Sequence, residues 1–184
     1  VAGESIEMLP AIYLRNNIYD KAAETSSSIE VSWCERGLAL SELGRFEDAL
    51  ESYSKALEAN PRSFKALKSR ANVLYRIGRY EEAINDFKRA LEIKPQLIDA
   101  WYGLGNARNR VGMYNEAVYA YDMALKINVS FIDAWVGKGA ALGNMSRYQE
   151  AAESFDRALC INPSLKEALY GKYLALQKVG RGAD

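Results

Sequence analysis

Residues able to do chemistry are sparse in this chain of 184 residues, and their spacing points away from catalysis. There is no histidine, so the usual general base and the commonest metal ligand are both missing. The two cysteines, Cys34 and Cys160, stand far apart with no Cys-x-x-Cys or metal-ligand spacing. That pattern suits free thiols in a reducing compartment. No nucleophile stands beside a base, and no paired carboxylates mark a pocket. Two Gly-x-Gly pairs, Gly103/Gly105 and Gly137/Gly139, would suit a phosphate loop only between a strand and a helix. Asn128-Val129-Ser130 and Asn144-Met145-Ser146 match the glycosylation triplet, but without a secretion signal they read as chance. We therefore expect no catalytic residue, no metal site and no cofactor.

Charge and hydropathy narrow the partners. Lys plus Arg equals Asp plus Glu at 24 each, which argues against nucleic acid or an anionic membrane as the default partner. No apolar run approaches the ~18 residues a membrane helix needs. A cytoplasmic protein that engages other proteins is the expectation. The first residue is Val1 rather than an initiator Met, which suits a processed chain or a piece of a longer parent.

The elements that position these residues are revealed by repetition. In Trp101–Ala124 the landmarks recur 34 positions earlier and later. Gly105 matches Gly37, Ala71 and Gly139; Tyr114 matches Phe46, Tyr80 and Tyr148. Ala117 matches Ala49, Ala83 and Ala151, and Tyr121 matches Tyr53, Phe87 and Phe155. Self-similarity at a period of about 20–50 residues signals an array of supersecondary units. The order W-x2-L-G, aromatic, Ala, aromatic, Ala and Pro resembles the tetratricopeptide repeat.

That resemblance implies an all-α fold, an α-α superhelix: a solenoid of antiparallel helix pairs. Repeats are expected at 30–63, 64–97, 98–131 and 132–165, each a helix of about 13 residues, a turn at Gly44, Gly78, Gly112 or Ser146, and a return helix. Asn60-Pro61, Lys94-Pro95 and Asn162-Pro163 end three of them, because Pro lacks an N–H and disfavours helix before it. Val129 stands at that place in the other, where the turn is still expected. Residues 1–29 keep Tyr19 and Ala22 in phase but carry Pro10, Arg15 and a Thr25–Ser28 link, as a degenerate, truncated repeat would. Residues 166–184 form a capping helix through Val179, with Gly180-Arg181 as the following turn.

Packing accounts for the repeated residues. Trp101, Leu104, Gly105 and Arg108 make the inward stripe of an amphipathic helix. Gly105 is expected where two helix backbones approach, and Tyr121 between one hairpin and the next. Trp33, Trp101 and Trp135 share one frame position and read as core aromatics rather than a base-stacking platform.

The family uses the concave face lined by its first helices to hold peptides or partner helices. Carried onto this chain, the facing positions in the two middle repeats are Lys65, Lys68, Asn72, Tyr75, Arg76, Tyr102, Asn106, Asn109 and Arg110. Cations bind carboxylates, Asn pairs both N–H and C=O of an extended backbone, and Tyr adds area. An acidic or C-terminal peptide segment is the implied ligand. Family members that clamp chaperone carboxylates use Lys and Asn where Lys68 and Asn72 stand. At the three remaining clamp positions this chain has Gly103, Asp133 and Gly137, so that clamp is not expected.

The expected function is a non-catalytic protein–protein interaction scaffold. The alternative is the substrate-recognition segment of a larger enzyme, such as a glycosyltransferase. End-to-end self-association through the terminal repeats is a further expectation.

Overall fold

The computed structural model describes residues 26–181, and the described residues contain nine α-helices and no strand. In chain order these are α1 (Ser26–Glu42), α2 (Phe46–Ala59), α3 (Phe64–Arg76), α4 (Tyr80–Ile93), α5 (Ile98–Arg110), α6 (Tyr114–Ile127), α7 (Ile132–Asn144), α8 (Tyr148–Ile161) and α9 (Lys166–Arg181). The expected all-helical array of helix pairs is what these residues form. The chain divides into two compact units, Val1–Pro95 and Gln96–Asp184. In the first, α1 packs on α2, α2 on α3, and α3 on α4. In the second, α5 through α9 pack each on the next.

The turn inside each hairpin is a helix C-cap of one design. The Arg45 N–H donates to the Leu40 carbonyl at 2.8 Å, Arg79 to Leu74 at 2.9 Å, Met113 to Arg108 at 2.9 Å and Arg147 to Leu142 at 3.0 Å. This bond closes over one residue in the left-handed region, the place where glycine carries no Cβ penalty. Gly44, Gly78 and Gly112 supply φ of 74°, 82° and 80°, whereas Ser146 adopts φ 61° with a side chain attached. At three of the four links between hairpins the chain turns on asparagine, and at the other on Lys94-Pro95. The Oδ1 atoms of Asn60, Asn128 and Asn162 accept from the N–H two residues on, at 3.1, 3.0 and 3.2 Å. The turn at Val129 survives without proline because the Asn128 side chain makes it.

The core is a row of aromatic rings laid on small residues. Tyr53, Phe87, Tyr121 and Phe155 are buried, as are Ala49, Ala83, Ala117 and Ala151. Tyr121 lies between two glycines: a Cβ at Gly105 would sit 2.6 Å from its ring and one at Gly137 2.7 Å. Phe155 lies likewise between Gly139 and Gly171. The glycines thus admit a ring edge, not the backbone-to-backbone approach the sequence suggested. Both Gly-x-Gly pairs sit inside helices, which removes the phosphate-loop reading.

Three other expectations change. The tryptophans are half-buried at the edge of the core. Trp135 donates its indole N–H to the Val129 carbonyl at 2.8 Å, and Lys55 lies 4.5 Å from the Trp33 ring centroid. An indole is too large for the slot between hairpins, and its N–H is satisfied only at the margin. The serines taken as a link are helical: α1 begins at Ser26, and Ser32 Oγ donates back to the Ser28 carbonyl at 2.9 Å. No proline stands there to stop the helix. Gly180-Arg181 continues α9 rather than turning. The degenerate repeat at 1–29 lies, through Thr25, outside the described residues.

Candidate functional site

Five of the nine expected groove residues lie on α3 in the N-terminal unit, and four on α5 in the C-terminal unit. On α3, Lys65, Lys68 and Asn72 fall at i, i+3 and i+7, which puts them on one face. Lys65 and Asn72 are exposed and Lys68 is half-buried. The helix carries four cations, Lys65, Lys68, Arg70 and Arg76, and no acid. Arg70 turns away from that face. Its Nε and one terminal nitrogen bind the Asp86 carboxylate at 2.7 and 2.9 Å, and the other terminal nitrogen reaches Ser54 Oγ at 3.1 Å. Arg76 is exposed but anchored: its guanidinium lies 4.7 Å from the Phe46 ring centroid and donates to Ser41 Oγ at 3.4 Å. Tyr75 is half-buried against Tyr80.

α5 holds its expected residues more tightly. Asn106 Oδ1 accepts from the buried Tyr121 hydroxyl at 2.7 Å, which leaves its amide nitrogen as the group to offer. Tyr102 packs edge-on to Phe131 and tilted against Tyr121, so it is a wall as much as a contact. Asn109 Oδ1 accepts from Asn144 Nδ2 at 3.3 Å. Arg110 is exposed at the end of the helix. Beside α3, α1 presents a thiol and two aliphatic side chains. Val31 and Leu38 are about half exposed. Burial pushes the Cys34 thiol up to about 11, with Glu30 adding to the effect and Lys65 opposing it.

Two clefts elsewhere are lined by none of these nine residues. In the N-terminal unit a cleft of ≈ 610 Å³ runs between α2 and α4, with Glu47, Glu51, Glu81, Glu82 and Asp86 set against Arg70 and Arg79. In the C-terminal unit one of ≈ 450 Å³ is lined by Trp135, Lys138, Glu150, Glu153, Asp156 and Arg157. Sequence reading missed the ion pairs beside them. Lys138 binds Asp122 at 2.6 Å, and Lys172 binds Asp156. The signal was present: a cation at one first-helix position recurs with a polar group 16 residues before it, at Ser54, Asp122 and Asp156. Among the described residues no group of His, Cys, Asp and Glu could hold a metal ion. No helix there is long and apolar enough to cross a membrane.

Tandem helix hairpins with glycine-capped turns, and aromatic rings laid on small residues, define a class of helical repeat proteins whose first helices carry variable side chains. Tetratricopeptide repeat models match residues 34–98 and then 98–131 and 132–165. The chain belongs to the tetratricopeptide repeat family. No curated protein matches its sequence closely enough to count as a relative.

Solved structures share the fold at low identity. MamA from Desulfovibrio magneticus RS-1 is 21% identical with a TM-score of 0.76, over 87% of this chain and 87% of that one. YrrB, described as a tetratricopeptide protein with an unusual peptide-binding site, is 23% identical with a TM-score of 0.73, over 89% of this chain and 81% of its own. The first tetratricopeptide domain of Spaghetti (RPAP3), solved with the HSP90 peptide SRMEEVD, is 23% identical with a TM-score of 0.62, over 64% of this chain and 93% of its own.

Proposed function

We propose that this chain is a non-catalytic protein-interaction module whose first-helix faces bind an extended, acidic segment of a partner protein. The observation that carries the reading is the face of α3. Lys65, Lys68 and Asn72 line one side of a helix that carries no acid, in a chain whose total charge cancels. A field of one sign over such a face raises the local concentration of oppositely charged ligand. Arg110 and the amide nitrogen of Asn106 give α5 the same donor chemistry. Two of the similar structures support a peptide as ligand, since one is described by its peptide-binding site and the other holds a bound peptide.

The chaperone carboxylate clamp is not the mode. A side chain at Gly137 would meet the Tyr121 ring at 2.7 Å, and Asp133 is an exposed acid in the first turn of α7. Asp133 would repel a terminal carboxylate there. An internal acidic segment fits the donors better.

A protected charge-assisted hydrogen bond contributes about 1.5–3 kcal/mol. Two or three of these, with Asn72 on the peptide backbone, reach about −8 kcal/mol after association costs, a micromolar Kd. Fluorescence anisotropy with a labelled acidic peptide, its amide (Asn/Gln) isostere and a basic scramble tests the reading on the wild type, Lys65→Glu, Lys68→Glu and Arg110→Glu. The wild type should prefer the acidic peptide and lose it as salt rises, because exposed charges are screened within ~8–10 Å at moderate ionic strength. Retention of the same ligand by every charge-reversal variant, or preference for the basic peptide, would defeat the proposal.

A further inference from the structure

The N-terminal unit carries two unlike rows of side chains on neighbouring helices. On α1, Val31, Cys34 and Leu38 fall at i, i+3 and i+7. On α3, Lys65, Lys68 and Asn72 hold the same three offsets. The two helices lie against one another and run in the same direction, because both ends are tied. At the start, the Glu30 carboxylate accepts from the Asn60 amide at 2.7 Å and from the Ser63 hydroxyl. At the finish, Arg76 donates to Ser41 Oγ at 3.4 Å. The apolar row therefore runs beside the donor row, Val31 by Lys65, Cys34 by Lys68 and Leu38 by Asn72.

Val31 and Leu38 are 49% and 54% exposed, and their place in the repeat leaves them so. The same two positions are exposed on α7 as Asp133 and Ala140, although α7 packs between α6 and α8. The first of these positions is charged on every other first helix, as Lys65, Asp99, Asp133 and Glu167. Among the described helices, only α1 places large aliphatic side chains at both. Such a pair, set along one edge of a charged row, differs from apolar residues scattered singly over a surface.

We propose that these two rows select a partner segment in which apolar and acidic residues alternate. The inference rests on the acidic-segment reading above and adds the α1 row to it. An extended strand sends successive side chains to opposite sides. Laid between the rows, it turns its apolar residues to Val31 and Leu38 and its carboxylates to Lys65 and Lys68. Val31 and Leu38 are about 10 Å apart along α1, at ~1.5 Å per residue. Same-side neighbours on a strand are about 6.8 Å apart, so the row takes two apolar side chains. Asn72 is exposed beside Leu38 and can pair both N–H and C=O of the segment's backbone. Exposed Glu42, one turn beyond Leu38, sets the limit of the acidic part, because it would repel a carboxylate there. The Glu30 carboxylate is already held by Asn60 and Ser63.

Fluorescence anisotropy on the 184-residue chain compares labelled peptides that differ only in a short core. Leu-Glu-Val-Glu-Leu should bind about tenfold more tightly than Ser-Glu-Ser-Glu-Ser, through partial burial of its aliphatic side chains. It should equally surpass the block order Glu-Glu-Leu-Val-Leu, which cannot send its acids and its apolar residues to opposite sides. Leu-Gln-Val-Gln-Leu should bind more weakly than its Glu form. Val31→Ser/Leu38→Ser should bring the alternating peptide to the level of the serine peptide, and Leu38→Met should keep the preference. Leu169→Ser, at an exposed apolar residue of the other unit, should keep it too, which separates this row from general stickiness. Helical circular dichroism should be unchanged in all three variants, since the substituted side chains are exposed. A serine or block peptide as tight as the alternating one overturns this inference and leaves the acidic-segment reading standing. So does a preference that survives the double serine substitution. A Gln peptide as tight as its Glu form, or no binding by any peptide up to about 1 mM, overturns both.

Discussion

Adding one methyl group at Gly105 tests the packing argument, because the same change at Gly143 should act in the opposite direction. Both glycines lie inside helices, α5 and α7, and neither has a positive φ. A Cβ at Gly105 would stand 2.6 Å from Cε1 of Tyr121, 2.8 Å from Cδ1 and 2.9 Å from Cζ. That is about 0.9 Å short of the ~3.5 Å at which carbon atoms sit comfortably. The ring has nowhere to go. It is fully buried, Gly137 also lies against its Cε1–Cζ edge, and its hydroxyl is tied to Asn106. Overpacking costs about 1–3 kcal/mol, and a 2.6 Å contact on a pinned ring belongs at about 2–3, against which the gain in helix propensity offsets about 1. Gly105→Ala should therefore destabilise by about 1–2 kcal/mol. At Gly143 nothing lies within 4 Å of the added carbon, so only the propensity gain remains, about 0.5–1 kcal/mol of stabilisation. Urea unfolding followed by helical circular dichroism reads both as midpoint shifts of opposite sign. A Gly105→Ala midpoint equal to or above the wild type would show that the ring can move, and would refute the reasoning.

Three further outcomes follow from single residues. Ser146→Gly should stabilise by roughly 1 kcal/mol, because a left-handed φ costs an L-residue about 1–2 kcal/mol and glycine little; thermal unfolding measures it, and no gain would mean the turn is held from elsewhere. Arg108→Leu should also stabilise, by about 1–2 kcal/mol, since Arg108 stands where other first helices carry leucine and its buried Nε has no hydrogen-bond partner. Burial already holds that guanidinium below its ordinary pKa, and a lower urea midpoint for the leucine variant would count against this account. Cys34 should react with a disulfide reagent at pH 8 at least tenfold more slowly than Cys160, because its thiol keeps its proton to about 11 and Cys160 is exposed. Equal labelling rates by mass spectrometry would contradict the burial.

The sequence by itself determined the helix pairs, their period and their turns. These follow from local residue choices repeated every 34 positions: glycine where the left-handed region is needed, asparagine where the chain must bend, and alanine and ring at fixed offsets. It also placed Lys65, Lys68 and Asn72 on one face, because helical spacing alone fixes that. Only the tertiary structure decided which repeated residues touch. Gly105 and Gly137 are 32 positions apart, yet both lie against one ring. The tryptophans belonged to the core by type and proved marginal by size. Arg76 and Asn106 counted as open donors until Phe46, Ser41 and the Tyr121 hydroxyl were found against them. A local pattern fixes the direction in which a side chain leaves its helix. What meets it there comes from a neighbouring hairpin, at a distance along the chain over which periodicity carries no information.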